Sequence, residues 1–190
     1  MVGSFSHSWK KKRALGEAQR ELNMKEHSLV RECPTRWGSR QKMMERVLEQ
    51  EKALTEVLSK DKKTRHLVLT WQDKEVLESV NAALQPLKEF TDALSGESYV
   101  SVSYLKPVLD LMRTKYLAED PKDTTLTKDI KSKVLAYMEE KYSDPDCQEL
   151  LDIATFLDPR YKFDYMSIPA LGTTKARVKT EMEQVAKKVT

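Results

Sequence analysis

Cysteine is nearly absent from this chain of 190 residues: Cys33 and Cys147 are its two, and no C-x-x-C occurs. No disulfide framework and no zinc site of ordinary spacing is visible, which suits a reducing compartment. Glycine and proline are also few, 5 and 7, and leave room for few loops, while aromatic residues at 7% allow only a modest core. No stretch approaches the roughly 18 apolar residues of a membrane span. No apolar segment follows Met1, so neither a secretory signal nor a membrane partner is expected. A Gly-rich phosphate loop, G-x-S-x-G and H-E-x-x-H are all missing. No cofactor and no small-molecule substrate are therefore expected. His7, His27 and His66 are isolated on polar segments and read as surface histidines rather than ligands.

Charge is plentiful, at 33% of residues, but unevenly placed. Residues 1–66 hold 16 Lys/Arg against 9 Asp/Glu, a net of +7; residues 67–190 hold 17 against 21, a net of −4. A basic front and an acidic back fit a polyanion partner at one end, although solvated helix faces would give the same count.

The apolar residues recur at helical spacing. Leu15, Ala18 and Leu22 predict a helix over 8–25. "HSLVREC", ending at Pro34, is too short for a helix and admits one strand, whose sheet partners would lie outside the chain. Met44, Val47, Leu48, Leu54 and Leu58 predict a helix from Thr35 or Ser39 to Ser59. After a basic linker, Thr70 and Asp73 form a capping-box variant opening the longest helix, with Val76, Val80, Leu84, Leu87 and Leu94 on one face and Gly96 beyond. Pro86 should kink it. Leu105, Val108, Leu109, Met112 and Tyr116 mark another helix, with Pro107 in its first turn. Leu126, Ile130, Val134, Tyr137 and Met138 mark the next. "SDPD" opens a short one, for which Asp144 and Asp146 read as turn and cap residues rather than a carboxylate site. Val178, Met182, Val185 and Val189 mark the last. The fold class expected is mainly α, with at most one or two short strands.

Three features could do more than fold. The pair Arg36-Trp37 in "CPTRWGS" either plugs a corner or meets nucleic acid, since an indole stacks on any base and Arg binds phosphate. The run Lys10-Lys11-Lys12-Arg13, beside Trp9, is either a solvated helix start or a phosphate contact; cations there oppose the helix dipole. "FLDPRYKF" reads as a structural corner: Asp158 and Arg160 pair across the Pro turn, with Phe156, Tyr161 and Phe163 around them. Cys33, beside Pro34, reads as a buried, inert residue at a strand end.

The order of "LVRECPTRWGSRQKMMERVLEQ", "LKEFTDALSGESYVSVSYLKPVL" and "IATFLDPRYKF" resembles the C-terminal half of hAT-type transposases and their domesticated relatives, the zinc finger BED domain-containing proteins. The likeness covers about Leu15 to Lys162. It implies a piece of a ribonuclease H-like core, residues 1–34, followed by its helical insertion, residues 35–190. In active relatives two acids upstream of "TRW" and a glutamate near the insertion's end hold the catalytic metal. Neither upstream acid can be placed in this chain, no downstream glutamate stands out, and the BED finger and the C-terminal dimerisation segment are not seen. "TRWGS" replaces the frequent "TRWNS", and Glu32 stands where Asp is common. The resemblance thus implies a nuclear, non-catalytic derivative whose partners are DNA and other copies of the family protein. The DNA contacts would be Arg36, Trp37, Lys10, Lys11, Lys12 and Arg13. Two alternatives stay open: a helical protein-interaction module without nucleic acid, and a transposase or nuclease whose acids lie outside this chain.

Overall fold

Apolar residues recurring at helical spacing, with few Gly and Pro between them, favour helix, and the regular structure of the computed structural model is helical. It describes residues 1–96 and 101–189, without the side chains of Trp37, Ala93, Gly96, Lys188 and Val189. Nine α-helices are found among these residues: α1 (Val2–Ser6), α2 (Trp9–Glu21), α3 (Trp37–Glu49), α4 (Glu51–Lys60), α5 (Trp71–Gly96), α6 (Leu105–Leu111), α7 (Thr125–Lys141), α8 (Pro145–Leu157) and α9 (Ile168–Val189). No strand occurs among the described residues, and no helix among them is long and apolar enough to cross a membrane. Residues 97–100, within the "LKEFTDALSGESYVSVSYLKPVL" stretch, lie outside the described residues. By backbone contacts the chain divides into Met1–Glu89 with Asp123–Thr127, and Phe90–Lys122 with Lys128–Thr190. The expected boundary at residues 34 and 35 falls inside the first of these.

The first unit is built on a small apolar cluster: Phe5, Leu15, Ala18, Val47, Ala53, Leu54 and Leu58, all buried. Around it lies an unusual amount of buried amide. Gln19, Gln41 and Gln50 are each 2% exposed or less. Gln19 Nε2 donates to Gln50 Oε1 (2.8 Å) and to the His27 carbonyl (2.9 Å), and Gln50 Nε2 donates to the Lys25 carbonyl (3.3 Å). The helix expected over 35–59 is in fact two, divided at Gln50. The amide buried at that residue ties the division to the connector.

That network also explains why "HSLVREC" is not a strand. Buried or half-buried backbone must be paired, and here side chains supply the partners that a sheet would have given. Gln19 binds the carbonyl of His27, and Arg46 Nη1 donates to that of Ser28 (2.8 Å). Ser39 Oγ both accepts from Cys33 N and donates to Cys33 O, each at 2.8 Å. Residues 24–33 form an irregular connector held by helices α2 and α3 and by Gln50.

The capping box forms as read: Asp73 N donates to Thr70 Oγ1 (3.1 Å) and Thr70 N to Asp73 Oδ2 (2.9 Å). α5 carries Pro86 without ending there. Its buried face differs from the expected stripe: Val76 is 49% exposed, while Ser79 and Ala83 are buried. Polar contacts decide this rotation. Ser79 bonds the Thr124 hydroxyl (2.8 Å), its carbonyl accepts from Thr127 Oγ1 (3.2 Å), and Gln41 Nε2 donates to Asn81 (2.8 Å) and Gln85 (2.5 Å).

In the second unit, Pro107 lies in the first turn of α6, whose end widens into a π-helical turn over Met112–Tyr116. Asp144 caps α8 by accepting from Cys147 N (2.9 Å), and Asp146 lies in its first turn. Lys106 and Asp152 form a half-buried ion pair. α7 leaves Tyr137 exposed, and α9 leaves Met182 and Val185 exposed, so those stripes are only partly covered.

The "FLDPR" corner is confirmed and enlarged. Asp158 accepts from Arg160 Nε (3.0 Å) and Nη2 (2.8 Å) and from the Ser103 hydroxyl (2.6 Å). The Arg160 guanidinium stands over Tyr104 and Tyr161, 5.5 and 5.1 Å from their centroids. Tyr104 and Tyr165, not Phe163, complete the aromatic packing; Phe163 is 51% exposed. Hydrogen bonds from Arg160 and then Ser103 hold the Asp158 carboxyl well below the usual carboxylate range. A carboxyl whose folded value is depressed contributes its stability above the unfolded value, near 4, and loses it as pH falls through the folded one. Asp158→Asn should therefore be less stable than wild type at about pH 5, and the gap should narrow as pH falls from there to about 2. Unfolding curves at three pH values test this; a gap that does not change with pH would remove the carboxylate from the account.

Candidate nucleic-acid interface

The basic run opens α2. Ser8 caps it, its hydroxyl accepting from Lys11 N (3.3 Å). Lys10 and Lys12 are exposed and Lys11 is half-exposed. None of the three forms an ion pair among the described residues. Arg13 differs, because Glu17 takes its Nε (2.8 Å) and its guanidinium lies 5.6 Å from the Trp9 ring centroid. Trp9 itself is 71% exposed. An indole left so open and flanked by cations presents a face on which a base can stack.

The second candidate, "CPTRWGS", is a turn at the entry to α3. Arg36 N donates to Cys33 O (2.9 Å), and Ser39 N donates to Arg36 O (2.9 Å). Arg36 occupies the N-cap with no side-chain cap, is exposed, and forms no ion pair among the described residues. Trp37 is the first residue of α3, and its side chain lies outside the described structure. Glu32 is bound by Arg40 (2.6 Å), whose hydrogen bond holds the carboxyl below its ordinary value. Cys33 is half-buried rather than buried, because no strand forms to enclose it. The Thr35 hydroxyl, 3.3 Å from its Sγ, lowers the thiol pKa, and the Arg36 charge adds to this.

A cleft of about 550 Å³ lies beside the basic run. Ser6 of α1, Lys12 of α2, and Glu26, His27, Ser28 and Arg31 of the connector line it, over a floor that includes Phe5, Leu15 and Leu29. It joins Lys12 to Arg31, nineteen positions apart in sequence; Lys10, Lys11, Arg13 and Arg36 are not among its lining residues. Arg31 is not marked by any pattern in the sequence, since a lone Arg in an extended segment has none. His7 and His66 are exposed, and His27 is tied to Glu49 (2.5 Å). No group of three or more His, Cys, Asp or Glu stands together as metal ligands among the described residues.

Residues 1–83, which include both basic segments and the cleft, match the family model of the ZBED1 RNase-like helical domain. The chain resembles the zinc finger BED family. It is 30% identical over 159 residues to zinc finger BED domain-containing protein 4 of Homo sapiens. That alignment covers 80% of this chain and 13% of the relative, so the chain spans a small part of that protein's length. No solved structure matches. The zinc finger BED resemblance agrees with the motif order and supports descent from a hAT-type transposase.

Proposed function

We propose that this chain is a non-catalytic, hAT-derived segment of a nuclear protein, and that it contacts DNA through the exposed start of α2. The observation that carries the reading is Trp9, 71% exposed beneath Arg13 and next to Lys10, Lys11 and Lys12, which no carboxylate neutralises among the described residues. Stacking on the indole and lysine contacts to phosphate are the two elements of sequence-tolerant binding. Arg36 extends the set, with Trp37 as its companion. The non-catalytic part rests on the resemblance: neither of the two upstream acids of active relatives can be placed in this sequence, and no glutamate stands out as the third. Nuclear location follows from the family resemblance.

A DNA titration at several salt concentrations tests the reading. Lys10→Ala/Lys11→Ala should lower the salt slope by about two units, as two lost phosphate contacts would. Trp9→Ala should weaken single-strand binding by about 1–3 kcal/mol. Its unfolding curve should stay within about 0.5 kcal/mol of wild type, because the ring is exposed. Wild-type protein that shows no salt-dependent DNA binding would overturn the proposal.

A second reading, a helical protein-interaction module, is favoured by one observation. Leu157, Met182 and Val185 are each about 60% exposed or more along α8 and α9, and such apolar groupings are unusual on a surface that stays in water.

A further inference from the structure

We propose that the cleft between α1, α2 and the connector is a phosphate site, in which Lys12 and Arg31 hold one backbone phosphate of the bound nucleic acid. This rests on the DNA-contact reading and adds to it a residue, Arg31, and a cleft for the anion.

The pairing of charges in the first unit carries the inference. Of its seven arginines, Arg13, Arg20, Arg40 and Arg46 are bound by carboxylates, and Arg65 donates to the Ser59 carbonyl. Arg31 and Arg36 have no such partner among the described residues, and Arg31 alone of that pair faces a cleft. Lys12, which lines the same cleft, is likewise without an ion pair among the described residues. Glu26 is the one carboxylate on the cleft's lining, and it is bound by Arg20 (3.3 Å), which is not on the lining. Lys12 and Arg31 against Glu26 leave the lining with an excess of positive charge. Ser28 also lines the cleft and brings a hydroxyl donor, whereas the Ser6 hydroxyl donates to the Val2 carbonyl (3.1 Å).

The ligand chemistry follows from these groups. A planar guanidinium matches two oxygens of one phosphate, and an ammonium lining the same cleft adds a point charge. Lys12 is the third residue of the run that also carries Lys10 and Lys11. A strand crossing the start of α2 would thus place a phosphate at the mouth of the cleft. The same chemistry would accept a free phosphate, and the experiment separates the two sources.

Wild type, Arg31→Ala, Arg31→Lys, Arg31→Ala/Lys12→Ala and Lys10→Ala/Lys11→Ala are titrated with DNA at about 50 and about 200 mM salt, and thermal unfolding is followed with and without inorganic phosphate against chloride of equal ionic strength. Arg31→Ala should lower the salt slope by about one unit, so that the affinity lost between those concentrations shrinks by a factor of about 3.5. The double cleft variant should lower it by about two. Arg31→Lys should keep the slope while losing the two-oxygen contact, so it should bind less tightly than wild type at both concentrations. If Lys10→Ala/Lys11→Ala lowers the slope and Arg31→Ala does not, the cleft proposal is wrong and the DNA reading stands. If wild type binds no DNA but phosphate raises its unfolding temperature, and Arg31→Ala abolishes that rise, the phosphate site stands and the DNA reading falls. If neither DNA nor phosphate responds to Arg31, the proposal is overturned. Because Arg31 is exposed, an unchanged unfolding curve in the absence of phosphate certifies each variant as folded.

Discussion

Leu58→Ala should destabilise the first unit by about 2–5 kcal/mol, the range for buried leucine truncations. Leu58 is 1% exposed and belongs to a cluster of seven buried apolar residues among those described. A core that small has little to collapse into a void, so the cost should fall in the upper part of the range. Packing between α2 and α4 supplies most of the cluster, with Leu15 and Ala18 from one and Ala53, Leu54 and Leu58 from the other. The matched control is Val76→Ala. Periodicity put Val76 on the buried face of α5, yet it is 49% exposed, and its truncation should cost no more than about 0.5 kcal/mol. Chemical unfolding of the two variants tests both statements. Equal losses would mean that the cluster does not hold the unit together.

Val76 also shows where sequence reasoning stops. Features fixed by neighbours a few residues apart were legible: the Thr70–Asp73 box, the Asp144 cap, and the Asp158–Arg160 pair each need only local geometry. So was the mainly helical class, because spacing sets it. What decided the rest was polar and distant. The buried face of α5 turned toward Ser79 and Ala83 because Thr124 and Thr127 bond Ser79 from more than forty residues away. A hydrophobicity pattern cannot register a hydroxyl partner. The strand reading of "HSLVREC" failed for the same reason. Its short apolar run, Leu29 and Val30 before Pro34, admits a strand, but Gln19, Arg46 and Ser39 take up its backbone groups instead. At the candidate interface the basic run was visible as a run. The cleft was not, since it exists only because the connector carries Arg31 past Lys12. Tyr104 was missed at the "FLDPR" corner because it lies over fifty residues upstream of the motif it completes.

Gln50→Leu should destabilise the first unit by about 1–3 kcal/mol, although leucine fills nearly the same space. The cost comes from the partners. Gln19 Nε2 loses its 2.8 Å acceptor and the Lys25 carbonyl loses its donor. Gln19 is 2% exposed, so water cannot easily replace what is lost. Lys25 is exposed and its carbonyl can rehydrate, which leaves the Gln19 amide as the main penalty. Gln19→Leu should cost at least as much, because it frees both the Gln50 acceptor and the His27 carbonyl. The double variant should cost less than the sum of the two, since replacing both ends of a buried bond leaves fewer unsatisfied groups. A coupling of about 0.5–3 kcal/mol is the range for residues in one such network. The same bonds hold residues 25–27 of the connector, so both single variants should also expose it to trypsin at Lys25 and Arg31 before global unfolding. Arg31 would then be held less well beside Lys12, and DNA binding should weaken even though neither glutamine faces the cleft opening with a charge. Additive single losses, with trypsin cutting no faster than in wild type, would show that the amides fill space without fixing the connector, and that something else positions Arg31.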